Sequence, residues 1–371
     1  MKMTNAHNLT EQVRFGLTAA GVTGATCLCL CAALNQGIFV VLVFTAIFTM
    51  ASIGKKWIYT PSPLLAVIFV FLMQFNSLLG SAASLVLGSL ICFALNRLIK
   101  REKLPDFITG GCLIGLALCT TILFTNTYFG IGATGFTPFE MLSSYRSLGF
   151  HPDFRGLLYG TITLFTMITY PFKFRRLKNI IPAEFITVAI PFVLNLILNP
   201  DPAYTTTNEF SGITPYSGFI NISGISGVMG LLSTSIATGF ILYVLSQNSA
   251  ENKIYNFFTV QPSIPCTSGN FTGIAPVVAI IISFILIALF PSVIYRLPLP
   301  CAGSMLIVSA WQHTSFKPLV ATLKEKNIVK FLLLILCATS FVVLPVFLAT
   351  SLCAVLWIIT ELIVRRREAE I

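Results

Sequence analysis

The amino-acid sequence predicts an all-α polytopic membrane protein of roughly twelve to fourteen transmembrane segments, in a 7+7 inverted repeat with two half-helices each preceded by a short extended stretch. Three observations carry that prediction. Of 371 residues, 56% are hydrophobic and 10% charged, with a mean hydropathy of +0.87, whereas a soluble domain carries about 25% charged residues. The basic residues gather in short loops between apolar runs. The same broken pattern of apolar runs, prolines and glycines occurs twice along the chain.

Val13–Leu34 and Ile38–Ser52 read as a first hairpin. "WIYTPSP" (57–63) follows, extended in character because a residue before proline is pushed out of the α region, and the short run Leu64–Leu72 begins after its two prolines. Ser77–Ile99 is long enough to span. Leu104-Pro105 opens Phe107–Phe124, and Gly156–Tyr170 and Ile181–Leu198 close the first half. The second half has Ile222–Leu245, rich in Gly, Ser and Thr, then the short Ile254–Val260, the interrupted "PSIPCTSGNFTG" and Ile274–Phe290. Leu297-Pro298-Leu299-Pro300 opens Cys301–Trp311, and Phe331–Val346 with Phe347–Val364 form a last hairpin. Leu104-Pro105 thus corresponds to Leu297-Pro298, and the Pro61-Ser62-Pro63 break to the break at Pro265. An odd number of segments per half makes the second copy inverted. The expected division is a first repeat over residues 1–205 and a second over 206–371, in one transmembrane domain with no soluble domain.

The clusters Arg97/Lys100/Arg101/Lys103, Lys173/Arg175/Arg176/Lys178, Lys317/Lys324/Lys326/Lys330 and Arg365/Arg366/Arg367 mark cytoplasmic loops by the positive-inside rule. The stretches Asn126–Asp153 and Asn199–Asn221, poor in Lys and Arg, are expected outside as loops, and both termini inside. This placement accounts for the net charge of +10 without nucleic acid. Met1–Gln12 is polar with no small-residue cleavage site behind a short apolar core, so no cleavable signal peptide is expected. Cys27, Cys29, Cys31, Cys92, Cys112, Cys119, Cys337 and Cys353 fall within apolar runs, as small hydrophobes do. With only three dispersed histidines (His7, His151, His313), no metal and no cofactor is expected.

Short or Gly/Pro-interrupted segments at matching positions of two halves point to a transporter's binding site. Two half-helix N-termini facing one another place N–H groups and positive dipole ends around one point, suited to an anion or a polar solute with an acceptor. The candidate binding residues are Thr60, Pro61, Ser62, Cys266, Thr267, Ser268, Gly269 and Asn270, with Thr26, Ser233 and Thr234 as further lining. The competing reading makes the first group ordinary turn residues outside the membrane, and makes Ser233, Thr234, Ser235 and Thr238 small residues that let helices pack. Glu184 is expected to pair with Lys178 or Arg176, Glu361 with Arg365, and Asp106 to cap a helix, so no acid stands mid-span for a proton or sodium relay. No Ser–His pair or HExxH motif supports an intramembrane enzyme.

The chain also resembles the membrane domain of the sulfate-permease (SulP) anion transporters, the family of prestin and pendrin. The matching stretches are "LPDFITGGCLIGLALCTTILFTNTYFG" (104–130), "FRGLLYGTITLFTMITYPFKFRRLKNIIPAEFITVAIPFVLNLIL" (154–198), "FPSVIYRLPLPCAGSMLIVSAWQHTSFKPL" (290–319) and "TPSPLLAVI" (60–68). The resemblance implies a core moving against a gate and an anion held between the third and tenth segments. It implies a secondary-active or facilitative transporter of a small inorganic or organic anion (the sulfate, bicarbonate or dicarboxylate class), working by alternating access. It departs from the family in lacking a STAS domain, in Val22–Thr26 where a Pro/Gln signature is usual, and in Leu231–Thr238, which has no carboxylate. "PCTSGNFTG" and "LPLPCAG" also resemble the nucleobase–ascorbate transporters of the same fold, which leaves a nucleobase carrier, or a degenerate non-transporting homologue, as alternatives. The expected partners are a small anion, the bilayer and possible homodimer contacts, with no nucleic acid, and the expected location is a bacterial inner membrane.

Overall fold

The computed structural model describes residues 9–20, 50, 53–54, 57–61, 68, 71–72, 76, 78–98, 104–129, 137–149, 151–174, 183–198, 225–248, 260–265, 272–289, 298–312, 314, 316–325 and 327–369. In chain order these are α1 (9–20), β1 (Trp57–Pro61), α2 (Leu78–Leu98), α3 (Asp106–Phe129), α4 (Pro138–Leu148), α5 (Phe154–Lys173) and α6 (Ala183–Leu198). Then follow α7 (Ile225–Asn248), β2 (Val260–Pro265), α8 (Ile274–Leu289), α9 (Leu299–Gln312), α10 (Lys317–Lys324), α11 (Ile328–Val343) and α12 (Val346–Ala369). The order helix, strand, two helices, short helix, two helices therefore occurs twice. Among the described residues, α2, α3, α7 and α12 contain runs long and apolar enough to cross a membrane, and α6, α8, α9 and α11 are shorter apolar helices. The chain is an integral membrane protein.

The packing repeats with the order. Helix α2 packs along α7, and α3 along α11, while α9 packs along α5. Exchanging the halves turns the first pair into α8 with α1, which meet through Ala19, Ala275 and Ala279, and turns the second pair into the third. The strands β1 and β2 pair with each other, as does α3 with α9. In lipid, apolar side chains gain little by leaving one hydrocarbon phase for another, so close backbone approach and van der Waals contact hold such helices together. Glycines make the crossings. A Cβ at Gly239 of α7 would stand 2.9 Å from the Gly88 carbonyl of α2, and one at Gly16 of α1 would stand 2.8 Å from the Ala275 carbonyl of α8. Along α3, a Cβ at Gly111 would meet Cys337 Cβ at 2.6 Å and one at Gly115 would meet the Phe341 ring at 2.7 Å, both on α11.

Polar anchors cross the same seams. Ser304 of α9 donates to the Gly160 carbonyl of α5 at 3.0 Å, and Trp311 Nε1 of α9 donates to Thr121 Oγ1 of α3 at 2.8 Å. The largest buried cluster joins α3, α7, α11 and α12, and contains Cys112, Cys119, Cys337 and Cys353. These cysteines are buried and free, as small hydrophobes within apolar runs are.

Three local features differ from the sequence expectations. The stretch Asn126–Asp153 is not a plain loop: α3 runs on to Phe129, and α4 forms within it. The reason is local: Thr137 accepts from the Glu140 N–H at 3.2 Å, Glu140 returns a bond to the Thr137 N–H at 3.4 Å, and Pro138 starts the helix. Gly149 ends it at φ 78, a conformation that glycine adopts without a Cβ penalty. The lysine-rich stretch after Trp311 likewise holds α10. Finally, Asp106 is the first residue inside α3 rather than its cap. Pro105 precedes it, and the Pro105 carbonyl accepts from Ile108 and Thr109 at 3.0 and 3.1 Å, leaving the Asp106 charge in the first turn, where the helix dipole favours it. The partners expected for Glu184 lie outside the described residues, as does the 205/206 division.

Candidate functional site: the crossed strands and the polar node on α7

Strand β1 is extended because Thr60 precedes Pro61, and β2 because Gln261 and Ile264 precede Pro262 and Pro265. A two-stranded ribbon is all edge, so its prolines remove no interior ladder bond. The strands pair antiparallel: Trp57 with Pro265, Ile58 with Ile264, Tyr59 with Pro262, Thr60 with Gln261 and Pro61 with Val260, with an irregularity between Ile58 and Tyr59. The extended stretch of the second half is therefore Val260–Pro265, beginning before the interrupted "PSIPCTSGNFTG" and ending at its Pro265. Pairing satisfies backbone groups that lipid cannot. It also fixes where the chain leaves the ribbon. The exits, after Pro61 and after Pro265, stand at opposite ends, about 13 Å apart at the usual rise per residue of a strand.

Helix α7 carries the second part of the site. The Thr234 hydroxyl donates to the Gly230 carbonyl at 2.9 Å, accepts from Asn76 Nδ2 at 3.1 Å and meets Ser84 Oγ of α2 at 3.0 Å. Asn76 in turn donates its backbone N–H to the Leu72 carbonyl at 2.9 Å, in the segment that follows β1, where residues 68, 71 and 72 are helical. Thr234 thus ties α7 both to α2 and to the stretch behind β1. Ser233, one residue earlier, is exposed and donates to the Gly230 carbonyl of its own helix, 2.9 Å away. Ser235 and Thr238 are buried and donate to the Leu231 and Thr234 carbonyls at 2.6 and 2.7 Å.

Of the sequence-predicted residues, the structure places Thr60 and Pro61 in the ribbon, and Ser233 and Thr234 on α7 with hydroxyls turned to different surroundings. Thr26, Ser62, Cys266, Thr267, Ser268, Gly269 and Asn270 lie outside the described residues. Asn76 and Ser84 were missed. The available signal was an amide closing the apolar run that begins at Leu64, followed by a Ser-rich helix start. Electrostatically the region is bare: neither strand nor α7 contains Asp, Glu, Lys or Arg. What it offers a ligand is hydroxyls, an amide and backbone dipoles.

The fold is that of known anion transporters. The chain matches the transmembrane domain of a cyanobacterium bicarbonate transporter, BicA, with a TM-score of 0.60 at 13% identity, over 94% of this chain and 97% of that one. It matches SLC26A9 with a TM-score of 0.61 at 14% identity over 95% of this chain, and the murine Solute Carrier 26 family member A9 anion transporter in the inward-facing state with a TM-score of 0.60 at 14% identity. The chain spans 65% and 68% of those two longer proteins. No protein-family model and no curated protein matches the sequence.

Proposed function

We propose that the protein carries a small anion of the sulfate, bicarbonate or dicarboxylate class across the membrane by alternating access. In this reading the anion rests beside the β1–β2 ribbon, between the segments that follow Pro61 and Pro265. Thr60, Pro61, Ser62, Cys266, Thr267, Ser268, Gly269 and Asn270 line that place, and Thr26, Ser233 and Thr234 complete it. The observation that carries the proposal is the antiparallel pairing of two proline-broken strands from the two halves of the chain, in a fold shared with a bicarbonate transporter domain. Such interrupted elements at repeat interfaces are where carriers bind substrate. The absence of acidic residues from α7 and both strands favours exchange or facilitated movement over a proton relay through carboxylates. In this reading both termini are cytoplasmic, which the positive-inside pattern supports, the membrane is a bacterial inner membrane, and the repeats divide near residue 205.

The test is uptake of labelled sulfate, bicarbonate, fumarate and uracil into proteoliposomes, with Ser268→Trp as the blocked variant. Uptake of one anion, lost in Ser268→Trp, is the expected result. Uptake of uracil in place of any anion assigns the site to a nucleobase. Absence of flux for all four from folded protein overturns the anion assignment.

A further inference from the structure

We propose that the outward face of α10 is a docking surface for anionic phospholipids of the cytoplasmic leaflet. The proposal rests on the positive-inside orientation proposed above and is independent of what the protein carries. Helix α10 is short, stands between α9 and α11, and packs on the first turns of α3: a Cβ at Gly110 would meet Pro318 at 2.8 Å. Its buried side is Pro318 and Thr322. At about 100° per residue, Phe316, Val320 and Leu323 fall on the opposite side, and they are 49%, 45% and 53% exposed. Phe316 stacks one ring face on Trp311, at 5.8 Å and 15°, which fixes it in that position. Lys317 and Lys324 are two turns apart, so they share one flank of the apolar stripe, and both are exposed. Just beyond, Ile328 and Val329 open α11 at 73% and 66% exposure, beside Lys330, which pairs with Glu325 at 2.7 Å.

An exposed apolar stripe with lysines along one edge is the pattern of a helix lying in the lipid headgroup layer. The stripe meets the acyl boundary, and the ammonium groups sit at the depth of the phosphates. Charge complementarity selects an anionic headgroup, because basic residues at the cytoplasmic surface are drawn to anionic lipids. The repeat gives an internal comparison. Helix α4 holds the matching position after α3 and packs on α3 and α11, but from the other end of α3, since it follows the C-terminus of that helix. It too exposes an apolar pair, Phe139 and Leu142, yet its only basic residue is Arg146, with Glu140 in its first turn. Both helices therefore meet lipid, and only α10 carries the charge that selects among lipids.

The full chain, with Leu323→Trp as reporter, is reconstituted in mixed phosphatidylcholine–phosphatidylglycerol vesicles. Bromine is placed on either lipid at equal mole fraction, and the emission of the parent chain is subtracted. Quenching by brominated phosphatidylglycerol is expected to exceed that by brominated phosphatidylcholine by about twofold. The excess should vanish in Lys317→Gln/Lys324→Gln and return in Lys317→Arg/Lys324→Arg, with quenching by the neutral lipid preserved throughout. Equal quenching by the two lipids, or an excess that survives loss of both lysines, overturns the proposal. So does a reporter that neither lipid quenches and that aqueous acrylamide reaches. Excess quenching at Leu142→Trp on α4, equal to that on α10, would also overturn the assignment of selectivity to the lysines.

Discussion

Thr234 and Ser233 are neighbours in sequence with opposite structural duties. Thr234 is 5% exposed and its oxygen meets Asn76, Ser84 and the Gly230 carbonyl. Thr234→Val keeps the shape but leaves the Asn76 amide and the Ser84 hydroxyl without this partner. It should lower stability by about 1–3 kcal/mol, read as a fall in melting temperature in detergent, with Thr234→Ser close to the parent. Tyr145 on α4 shows the converse. Its hydroxyl is buried without a hydrogen-bond partner among the described residues, and burial pushes the phenol up to about 12. A group whose folded pKa is raised stabilises the fold below its unfolded pKa, here near 10, and that stability drains as pH rises from there through 12. Tyr145→Phe should match or slightly exceed the parent at neutral pH, and should lack the part of its alkaline decline that begins above pH 10 (about the free phenol value). An equal decline in both proteins would remove Tyr145 as a source.

At the scale of elements, glycine placement decides which helices approach. Adding a methyl group at Gly239 forces α7 away from the Gly88 carbonyl and Ile91 of α2, so Gly239→Ala should cost about 1–3 kcal/mol. Gly230, on the same helix, has nothing among the described residues within 4 Å of a built Cβ, so Gly230→Ala should be neutral or gain up to about 1 kcal/mol of helix propensity. Thermal unfolding of the two variants side by side checks the contrast. The long helices were legible because apolar runs of spanning length leave few alternatives, and Ser77–Ile99 differs from α2 by one residue at each end. The extended "WIYTP" was legible from its prolines and is β1 itself. Helices α4 and α10 were not legible, because at 11 and 8 residues they are too short to stand out as spanning apolar runs. The Thr137–Glu140 capping box was the signal that marked α4. At the candidate site, strand pairing was foreseeable as one of two ways to satisfy buried backbone. The node of Asn76, Ser84 and Thr234 was not, since partners so far apart in sequence meet only after the helices pack.

For the whole molecule, the exchange symmetry of the contacts separates two sets of helices. Helices α1, α2, α7 and α8 pair among themselves, as do α3, α5, α9 and α11. Where the sets meet, α3 and α11 line a small apolar void with α7, formed by Cys112, Leu113, Leu116, Phe240, Ile241 and their neighbours. A void at a seam leaves room for sliding that a filled interface does not. If transport moves one set against the other, tethering across the seam should stop it. Joining Ile241→Cys to the native Cys112 with a short bifunctional thiol reagent should abolish flux in a way that thiol reduction restores. Joining Ala19→Cys to Ala279→Cys, both within the first set, should leave flux largely intact. Equal flux in both cross-linked proteins would rule out relative motion of the two sets.

The ribbon also bears on how the protein is made. Strand β1 leaves the ribosome long before β2, its strand partner among the described residues. Until the second half has been inserted, the backbone of residues 57–61 lacks its native hydrogen-bond partners, a costly condition inside a bilayer. Contacts between such distant parts of a chain form late. The nascent first half must therefore wait, either with β1 held at the aqueous edge of the membrane or shielded by the insertion machinery. Completion of the fold then turns on a few residues of the second half arriving in register, which makes the pairing of Val260–Pro265 with Trp57–Pro61 a late step in building this protein.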